Sequence, residues 1–569
     1  MKQIIQHLLQ NKRLAKHILS SSFFIALLSL ATSLFVIQVL NRFIAHGING
    51  TLVTLIIGTL LALVFEIIFR SIRRQLIVLH NTEHDYVLSI KAFEVLLTAE
   101  VLFLDRVPPG QRSEIVRGID ILRAATMPQN IAALLDIPFS LIFLLVLGLL
   151  NPVLMIIAIF AILSSIFIAW RAQRIARAES IKLQAISADR ANILSSAITS
   201  SETIRAFNGS GFLLDNWHDR DKGALSLRVS MANDKDALSS KLSLINNIQT
   251  VAVISAGALL VISGDISMGA MIGANILASR ALMPVTRLVQ MAETFIAAEH
   301  ANKLLQEFIL LPLERKRGTA LRHYDGAISF NDLAFVYPGV SVLLFESLNL
   351  SIQPGQCGLI VGPNGSGKTT LLHLLLGLIE PSRGQVLVGD LDLKQLALPW
   401  WRQQVCYLPQ EPILLTATLQ ENITLANPQI DESRLNEIIN DAELRTFLSN
   451  SQEGLEMPIT EGGKHLALGI RRRVAIARAL ATDGQLFIAD EPTEGLDDDG
   501  KRAVYLLFQK LKNQGKTLIV VSHDESFLRI ADLRIDLTSK PIPTVQYKKP
   551  DSVPPQNNPT VKDNQENKA

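Results

Sequence analysis

The stretch GPNGSGKT at residues 362–369 follows the apolar run CGLIV at 357–361 and precedes the apolar run TLLHLLLGL at 370–378. A strand, a glycine-rich loop and a helix in this order form a loop whose backbone N–H groups bind phosphates. Lys368 supplies a charge for the β- and γ-phosphates, and the Thr369 hydroxyl can ligate Mg²⁺. The candidate nucleotide-binding residues of this loop are Gly362, Pro363, Asn364, Gly365, Ser366, Gly367, Lys368, Thr369 and Thr370. The stretch therefore predicts that this half of the chain binds ATP.

Two later apolar runs end in side chains that suit ATP hydrolysis. The run LFIADE at 486–491 predicts a buried strand that ends in Asp490 and Glu491. Asp490 can hold the Mg²⁺ shell, and Glu491 can orient and polarise the attacking water. The run LIVVSH at 518–523 predicts a second strand, with His523 at its tip in reach of the γ-phosphate. The sequence thus predicts an ATP hydrolase with Glu491 and His523 as catalytic residues.

Long apolar runs dominate the half that precedes the phosphate loop. The chain has 569 residues, of which 49% are hydrophobic and 19% charged. Runs of about 20 apolar residues are long enough to cross a bilayer. They predict six spans at 18–40, 52–69, 131–150, 153–170, 245–263 and 268–283. The net charge of only +2 predicts no nucleic-acid partner.

Basic residues lie on one side of the predicted spans. They precede the first span and flank the inner ends of later ones: Lys12, Arg13, Lys16, Arg70, Arg73, Arg74, Arg171, Arg174 and Arg177. The short links on the opposite side of the spans carry only one lysine or arginine, Arg42. This bias predicts that both termini are cytoplasmic. The long inner links, 70–130 and 171–244, are expected to continue as helices into the cytosol, with turns at PPG 108–110 and SETIR 201–205.

Two acidic residues lie in or near the predicted spans. Glu66 is about one turn from Arg70, and Asp136 precedes Pro138 near the inner end of its span. Buried charges in a membrane are costly, which raises the question of a functional role. Pairing with a base, or capping of a kinked helix, is favoured over substrate contact or proton relay.

The predicted fold is an α-helical six-span membrane domain followed by an α/β nucleotide-binding domain with a phosphate loop. The expected segments are a cytoplasmic N-terminal segment at 1–17, the membrane domain at 18–310, a linker at 311–324, the ATP-binding domain at 325–545 and a disordered tail at 546–569. Cys357 and Cys406 are the two cysteines, and their number and position suit a reducing cytosol.

These motifs together resemble an ATP-binding cassette (ABC) transporter, and the resemblance extends from about residue 10 to 540. It implies that Tyr337, in FVYP at 335–338, stacks on adenine. It further implies that Gln410, in YLPQ at 407–410, senses Mg²⁺ and couples to the membrane domain. Asp497 would lie in the loop that crosses to the partner subunit.

The membrane half is similar to that of type I secretion exporters. The similar stretches are LATSLFV at 30–36, LDIPF at 135–139, ETIR at 202–205 and GAMIGA at 269–274. The resemblance implies a half-transporter in a bacterial inner membrane that pairs with a second half and works with a periplasmic adaptor and an outer-membrane channel. Many relatives carry an N-terminal cysteine-peptidase-like domain. Because no cysteine precedes Cys357, we expect neither that domain nor its proteolysis.

The signature loop departs from the family pattern. The family has LSGGQ, whereas this chain has Leu466, Ala467, Leu468, Gly469 and Ile470 ahead of RRRVAIARAL at 471–480. Ala467 lacks the serine hydroxyl that bonds the γ-phosphate, and Leu468 is branched where glycine lets backbone approach phosphate. We therefore expect weak nucleotide clamping in a homodimer and favour a heterodimer, with a homodimer possible.

Three functions fit these patterns. The favoured one is an ATP-driven exporter subunit that moves a protein or peptide cargo out of the cytosol. One alternative is a lipid or drug exporter of the same fold, which fold alone does not distinguish. Another is an ATP-binding regulatory half of a heterodimeric transporter with little turnover of its own, against which the retained Glu491 and His523 argue. The sequence does not identify the cargo.

Overall fold

The computed structural model describes residues 11–45 and 49–548, which fall into two compact units divided between Leu313 and Glu314. The division lies inside the segment 311–324 that the sequence assigns to a linker. The first helix begins at Lys12, within the segment expected to precede the membrane domain. Residues 1–10 of that segment, and residues 549–569 of the expected tail, lie outside the described residues.

Helices form the first unit. They are α1 Lys12–Gln38, continued by a π-helical turn Val39–Ile44, α2 Asn49–Thr98, α3 Val101–Leu104, α4 Pro109–Ala125, α5 Pro128–Leu150, α6 Pro152–Thr199, α7 Ser201–Ala206, α8 Ser210–Ile262, α9 Met268–Gln290 and α10 Ala292–Ile309. Among the described residues, six of these helices are long and apolar enough to cross a membrane. The predicted six-span architecture is confirmed.

Three helices are far longer than a bilayer requires. Helices α2, α6 and α8 have 50, 48 and 53 residues, whereas about 20 residues span the hydrocarbon. In each, an apolar stretch is continuous with a mixed-charge stretch, as the sequence predicted for the long links. The predicted turns coincide with the start of α4 at Pro109 and with the short helix α7.

Small residues let α9 pack closely in the bundle. A side chain at Gly273 would collide with Ile37 of α1, and the Gly269 N–H donates to Asn41 Oδ1 at 3.1 Å. Ala274 and Ala278 are fully buried in the core that α9 shares with its neighbours. Close helix approach through small residues is the usual packing mode of membrane helices. The GAMIGA stretch is therefore a packing surface.

The acidic residues of the spans are paired with bases. Glu66 accepts from Arg70 one turn later. Asp136 lies on α5 and accepts from Arg73 of α2, whose guanidinium also donates to Ser22 Oγ at 3.0 Å. Pairing with a base, one of the two favoured alternatives, is therefore seen for both acids.

The second unit is built on two main sheets. Its strands are β1 Ile328–Phe335, β2 Phe345–Ile352, β3 Cys357–Val361, β4 Arg383–Val388, β5 Leu391–Asp392, β6 Val405–Leu408, β7 Ala417–Thr418, β8 Pro458–Ile459, β9 Leu486–Asp490, β10 Thr517–Val521, β11 Leu533–Asp536 and β12 Thr544–Tyr547. One sheet has the order β2-β1-β4-β5 and is antiparallel, and the other has the order β12-β11-β3-β10-β9-β6. Strand β12 pairs with β11. It extends past residue 545, where the sequence predicts that the ATP-binding domain ends.

Helices cover the six-stranded sheet. They are α11 Lys368–Leu375, α12 Leu398–Gln403, α13 Leu419–Ile423, α14 Glu432–Asp441, α15 Arg445–Ser449, α16 Leu468–Thr482, α17 Asp498–Asn513 and α18 Ser526–Ile530, with 3-10 turns at Leu393–Gln395, Gly454–Glu456 and Glu461–Gly463. Strands β3, β9 and β10 are almost wholly buried, which explains their continuous apolar sequences. The predicted α/β domain is confirmed.

Candidate functional site

The parallel strands β3, β10 and β9 are neighbours, and their carboxyl ends lie at one edge of the sheet. Ligands bind at this edge in open α/β sheets. The phosphate loop follows β3, the pair Asp490 and Glu491 ends β9, and His523 lies just beyond β10. Residues that are far apart in the sequence thus gather around one cleft.

The phosphate loop has the backbone that its glycines permit. Gly365 and Gly367 have φ angles of +77° and +102°, which side-chain-bearing residues rarely adopt. Gly367 is the N-cap of α11, so the first N–H groups of that helix point into the cleft. The Lys368 ammonium donates to the Gly362 carbonyl oxygen at 2.7 Å. This arrangement provides N–H donors and a cation for phosphate oxygens.

A hydroxyl and a carboxylate form a pair suited to a hard cation. Thr369 Oγ1 donates to Asp490 Oδ2 at 2.8 Å. Asp490 is buried, and this burial raises the pKa of its carboxyl. Such oxygen ligands fit Mg²⁺, which binds through one or two carboxylates together with phosphates and water. Within the described residues no group of three or more His, Cys, Asp or Glu side chains could hold a metal ion.

Glu491, His523 and Lys368 form a triangle of polar side chains at the cleft. His523 Nε2 lies 2.9 Å from Lys368 Nζ and 3.4 Å from Glu491 Oε1, and Glu491 Oε1 is 4.0 Å from Lys368 Nζ. Burial raises the pKa of the Glu491 carboxyl, an effect that nearby His523 partly offsets. A carboxylate with a raised pKa is a better proton acceptor, as a general base requires.

The cleft itself has a volume of about 300 Å³. Its lining residues are Asn364, Gly365, Gly367, Lys368, Thr369, Thr370, Gln410, Asp490 and Glu491. Gln410 donates through Nε2 to Glu494 Oε2 at 3.1 Å. The Tyr337 hydroxyl lies 2.9 Å from Thr370 Oγ1, and the Tyr337 ring is 39% exposed. That ring packs edge-on against Phe335, with centroids 4.9 Å apart, and keeps surface free for stacking.

The signature residues lie apart from this cleft. Ala467 is the N-cap of α16, and no side chain caps that helix. Leu468 is 43% exposed and lies over Gly495, where an added Cβ would be 2.8 Å from Leu468 Cδ2. Asp497 caps α17 by accepting from the Gly500 N–H at 3.0 Å. Leu466 is buried, a Cβ added at Gly469 would contact Leu496 Cδ2 at 3.8 Å, and Ile470 packs on the core.

Sequence reasoning missed Arg472 and Glu494. Arg472 is 2% exposed and donates through Nη2 to the Gln410 carbonyl oxygen at 2.6 Å. Its Nη2 is also 4.0 Å from Glu494 Oε2, and burial lowers the pKa of the Arg472 guanidinium. Three consecutive arginines resemble a solvated surface in the sequence. Only the tertiary structure reveals that the middle one is enclosed behind Gln410.

Six membrane-crossing helices joined to a phosphate-binding ATPase site define an ATP-driven membrane transporter. The family model described as ABC transporter transmembrane region matches residues 18–285, and the one described as ABC transporter matches residues 345–494. The chain belongs to the ABC transporter family, as an exporter-type half-transporter with its permease fused to its ATPase.

Curated relatives are similar along nearly the whole chain. The alpha-hemolysin translocation ATP-binding protein HlyB of Escherichia coli is 30% identical over 514 residues, which cover 90% of this chain and 72% of HlyB. The leukotoxin translocation ATP-binding protein LktB of Bibersteinia trehalosi is 30% identical over 516 residues, with the same two shares. The structure of a bacterial Atm1-family ABC exporter with ATP bound matches with a TM-score of 0.79 at 17% identity, covering 92% of this chain and 94% of that one. Because the sequence identity is only 17%, the similarity to the Atm1-family exporter shows a shared fold and nothing more.

Proposed function

We propose that this chain exports a protein or peptide from the bacterial cytosol as one half of a type I secretion transporter. The observation that carries the proposal is the 30% identity to HlyB and LktB, which extends over 90% of the chain and so includes both domains. Those relatives are named for the translocation of alpha-hemolysin and leukotoxin. The likeness of the membrane half favours a polypeptide cargo for this chain.

The residues of the cleft have distinct roles in the proposed cycle of ATP binding and hydrolysis. The phosphate loop binds the nucleotide phosphates, with Lys368 on the β- and γ-oxygens. Thr369 and Asp490 would hold Mg²⁺, which would supply positive charge to the phosphate oxygens, and Gln410, which lines the same cleft, would sense it. Glu491 orients the water and accepts its proton, and His523 holds the γ-phosphate. The support is the 2.8 Å pair of Thr369 with Asp490 and the raised pKa of Glu491.

The remaining motif residues contact the adenine ring or the partner subunit. The partly exposed Tyr337 ring stacks on adenine. The signature loop at 466–470 faces the phosphates of a partner subunit, and Asp497 stands in the loop that crosses to it. Because Ala467 and Leu468 weaken this contribution, the second half-transporter is a different chain with an intact signature.

The assembly lies in the inner membrane with both termini in the cytoplasm. The support for this orientation is the one-sided distribution of basic residues at the span ends. A periplasmic adaptor and an outer-membrane channel extend the route of the cargo to the medium. Membrane lipid surrounds the spans.

Export is tested in cells that make this transporter. We compare the proteins of the medium between cells with the unmodified chain and cells with Glu491→Gln. At least one polypeptide should disappear from the medium and accumulate inside the mutant cells. An unchanged medium, with lipid or drug efflux lost instead, would contradict polypeptide export and favour the alternative exporter.

The regulatory-half alternative requires that this chain's own phosphate loop contributes little turnover, whereas the altered Ala467 at the start of α16 would affect the site that uses the partner's phosphate loop. In such a heterodimer this chain's signature would serve a slow site. Phosphate release by mixed complexes separates the two functions. If Glu491→Gln in this chain leaves the rate unchanged, the chain binds ATP without contributing turnover.

A further inference from the structure

Five arginines line one cavity inside the membrane domain. The cavity has a volume of about 290 Å³ and is bounded by α1, α2, α5 and α9. Its arginines are Arg70, Arg73 and Arg74 of α2 and Arg280 and Arg287 of α9. Ionisable side chains in a membrane domain are costly, and their concentration at one place calls for an explanation.

Carboxylates balance only part of this charge. Glu66 pairs with Arg70, and Asp136 pairs with Arg73. Within the described residues, Arg74, Arg280 and Arg287 form no ion pair with a carboxylate; Arg280 donates instead to Thr32 Oγ1 at 2.7 Å. The five arginines of the cavity therefore outnumber its two paired carboxylates, Glu66 and Asp136, which leaves a net positive charge for an anionic ligand.

One arginine of the cavity is firmly held. Arg73 is 6% exposed and is held from two sides, by Ser22 and by Asp136. Apolar side chains form the other walls, including Ile25, Phe143 and Met283. A ligand that fits both the arginine-lined part and the apolar walls of the cavity carries carboxylates beside apolar side chains.

We propose that this cavity binds a carboxylate-bearing, partly apolar segment of the exported polypeptide. The inference rests on the proposed function, because it takes the cargo to be a polypeptide. Guanidinium groups bind carboxylates through two parallel hydrogen bonds and are weakly hydrated, so they suit an enclosed site. Arg280 lies within the predicted span 268–283, about one turn from its inner end. The combination of guanidinium groups with the apolar walls of Ile25, Phe143 and Met283 favours a segment that carries both carboxylates and apolar side chains.

Peptide binding to the purified full-length transporter tests the proposal. The transporter is placed in nanodiscs of phosphatidylcholine, which carries no net charge. The probes are two short peptides with a neutral fluorophore, one alternating Glu with Leu and one alternating Lys with Leu. Fluorescence anisotropy gives the Kd of each. We expect the Glu peptide to bind at least about tenfold tighter, and its affinity to fall as salt rises.

Three variants locate the binding site. The double variant Arg74→Gln/Arg287→Gln changes two exposed side chains and should weaken Glu-peptide binding by about tenfold or more. Arg280→Gln should weaken it as well. Arg228→Gln, an exposed arginine of α8 that does not line the cavity, is the matched control and should leave the Kd unchanged. Elution as a single species and an unchanged melting temperature establish that the variants fold.

Three results would overturn the proposal. They are equal affinities for the two peptides, no effect of the double variant, and loss of Glu-peptide binding when phosphatidylglycerol replaces part of the phosphatidylcholine, which would identify a lipid site. Because binding is measured without transport, its failure is distinct from failure of the proposed function. Export without peptide discrimination refutes only this inference, and peptide binding without export refutes only the proposed function.

Discussion

Lys368 is already surrounded by the groups that would act on a γ-phosphate. Its ammonium contacts the Gly362 carbonyl and His523 and lies 4.0 Å from Glu491 Oε1. The cation offsets the charges of Asp490 and Glu491 at the same edge of the sheet. Without it, an incoming triphosphate would meet the carboxylates of Asp490 and Glu491 with no lysine beside them.

The variants Lys368→Ala and Glu491→Gln should separate binding from turnover. Lys368→Ala removes the phosphate charge, so tight ATP binding should be lost. Glu491→Gln keeps the shape of the site but removes the proton acceptor, and turnover should fall by about 10²–10⁴-fold while binding remains. Fluorescent-nucleotide titration and phosphate release measure the two steps. Glu453→Gln, at an exposed carboxylate, is the control, and hydrolysis by Glu491→Gln at the unmodified rate would refute the assignment.

Arg472→Ala should loosen the segment that carries Gln410. The change deletes a buried hydrogen bond to the Gln410 carbonyl, and we expect a loss of about 1–3 kcal/mol in the free energy of unfolding of the ATPase unit. Arg472→Lys retains a donor and should recover part of it. Thermal unfolding of the detergent-solubilised protein measures both variants. Equal melting temperatures for Arg472→Ala and the unmodified chain would show that this bond contributes nothing.

At the scale of elements, the sequence predicted those helices and strands that are specified by residues close together in the chain. The order of strand, loop and helix at 357–378 and the apolar runs of the spans are local features, and both are seen. The pair Arg73 with Asp136 joins residues 63 positions apart, so the sequence could name Asp136 but not its partner. Likewise, the enclosure of Arg472 depends on how α16 packs against the segment at Gln410. Strand β12 is too polar and short to be distinguished from a tail.

Cysteine labelling should report the orientation of the spans. Cys357 and Cys406 are buried, and burial raises their pKa values to about 12 and about 11. At pH 8 both remain protonated thiols, which are poor nucleophiles, so the unmodified chain should give little background. In intact spheroplasts an impermeant thiol reagent should label Asp265→Cys and should not label Asp219→Cys. The reverse pattern would overturn the proposed topology.

At the scale of the whole molecule, the proposed heterodimer follows from the altered signature. In the proposed dimer each ATP lies between one chain's phosphate loop and the other chain's signature loop. A homodimer would repeat the defect of Ala467 and Leu468 at both sites. A partner with an intact signature would complete the site that uses this chain's Lys368, Asp490 and Glu491.

Restoring the signature should therefore help a homodimer most. In Ala467→Ser/Leu468→Gly the hydroxyl regains a bond to phosphate worth about 1.5–3 kcal/mol, which corresponds to roughly tenfold or more in rate. The serine would also cap α16. We expect that gain in homodimer ATPase rate and only a small gain in the mixed complex. A fully active unmodified homodimer would show that Gly469 and the neighbouring backbone suffice.

The central claim is that hydrolysis at Glu491 drives a polypeptide across the membrane. ATP-dependent uptake of the secreted polypeptide into inverted inner-membrane vesicles tests it most directly. Vesicles with the unmodified transporter should accumulate the polypeptide in a protease-protected form with ATP and not with a non-hydrolysable analogue. Vesicles with Glu491→Gln should bind ATP and accumulate none. Equal uptake by the two kinds of vesicle would contradict the account.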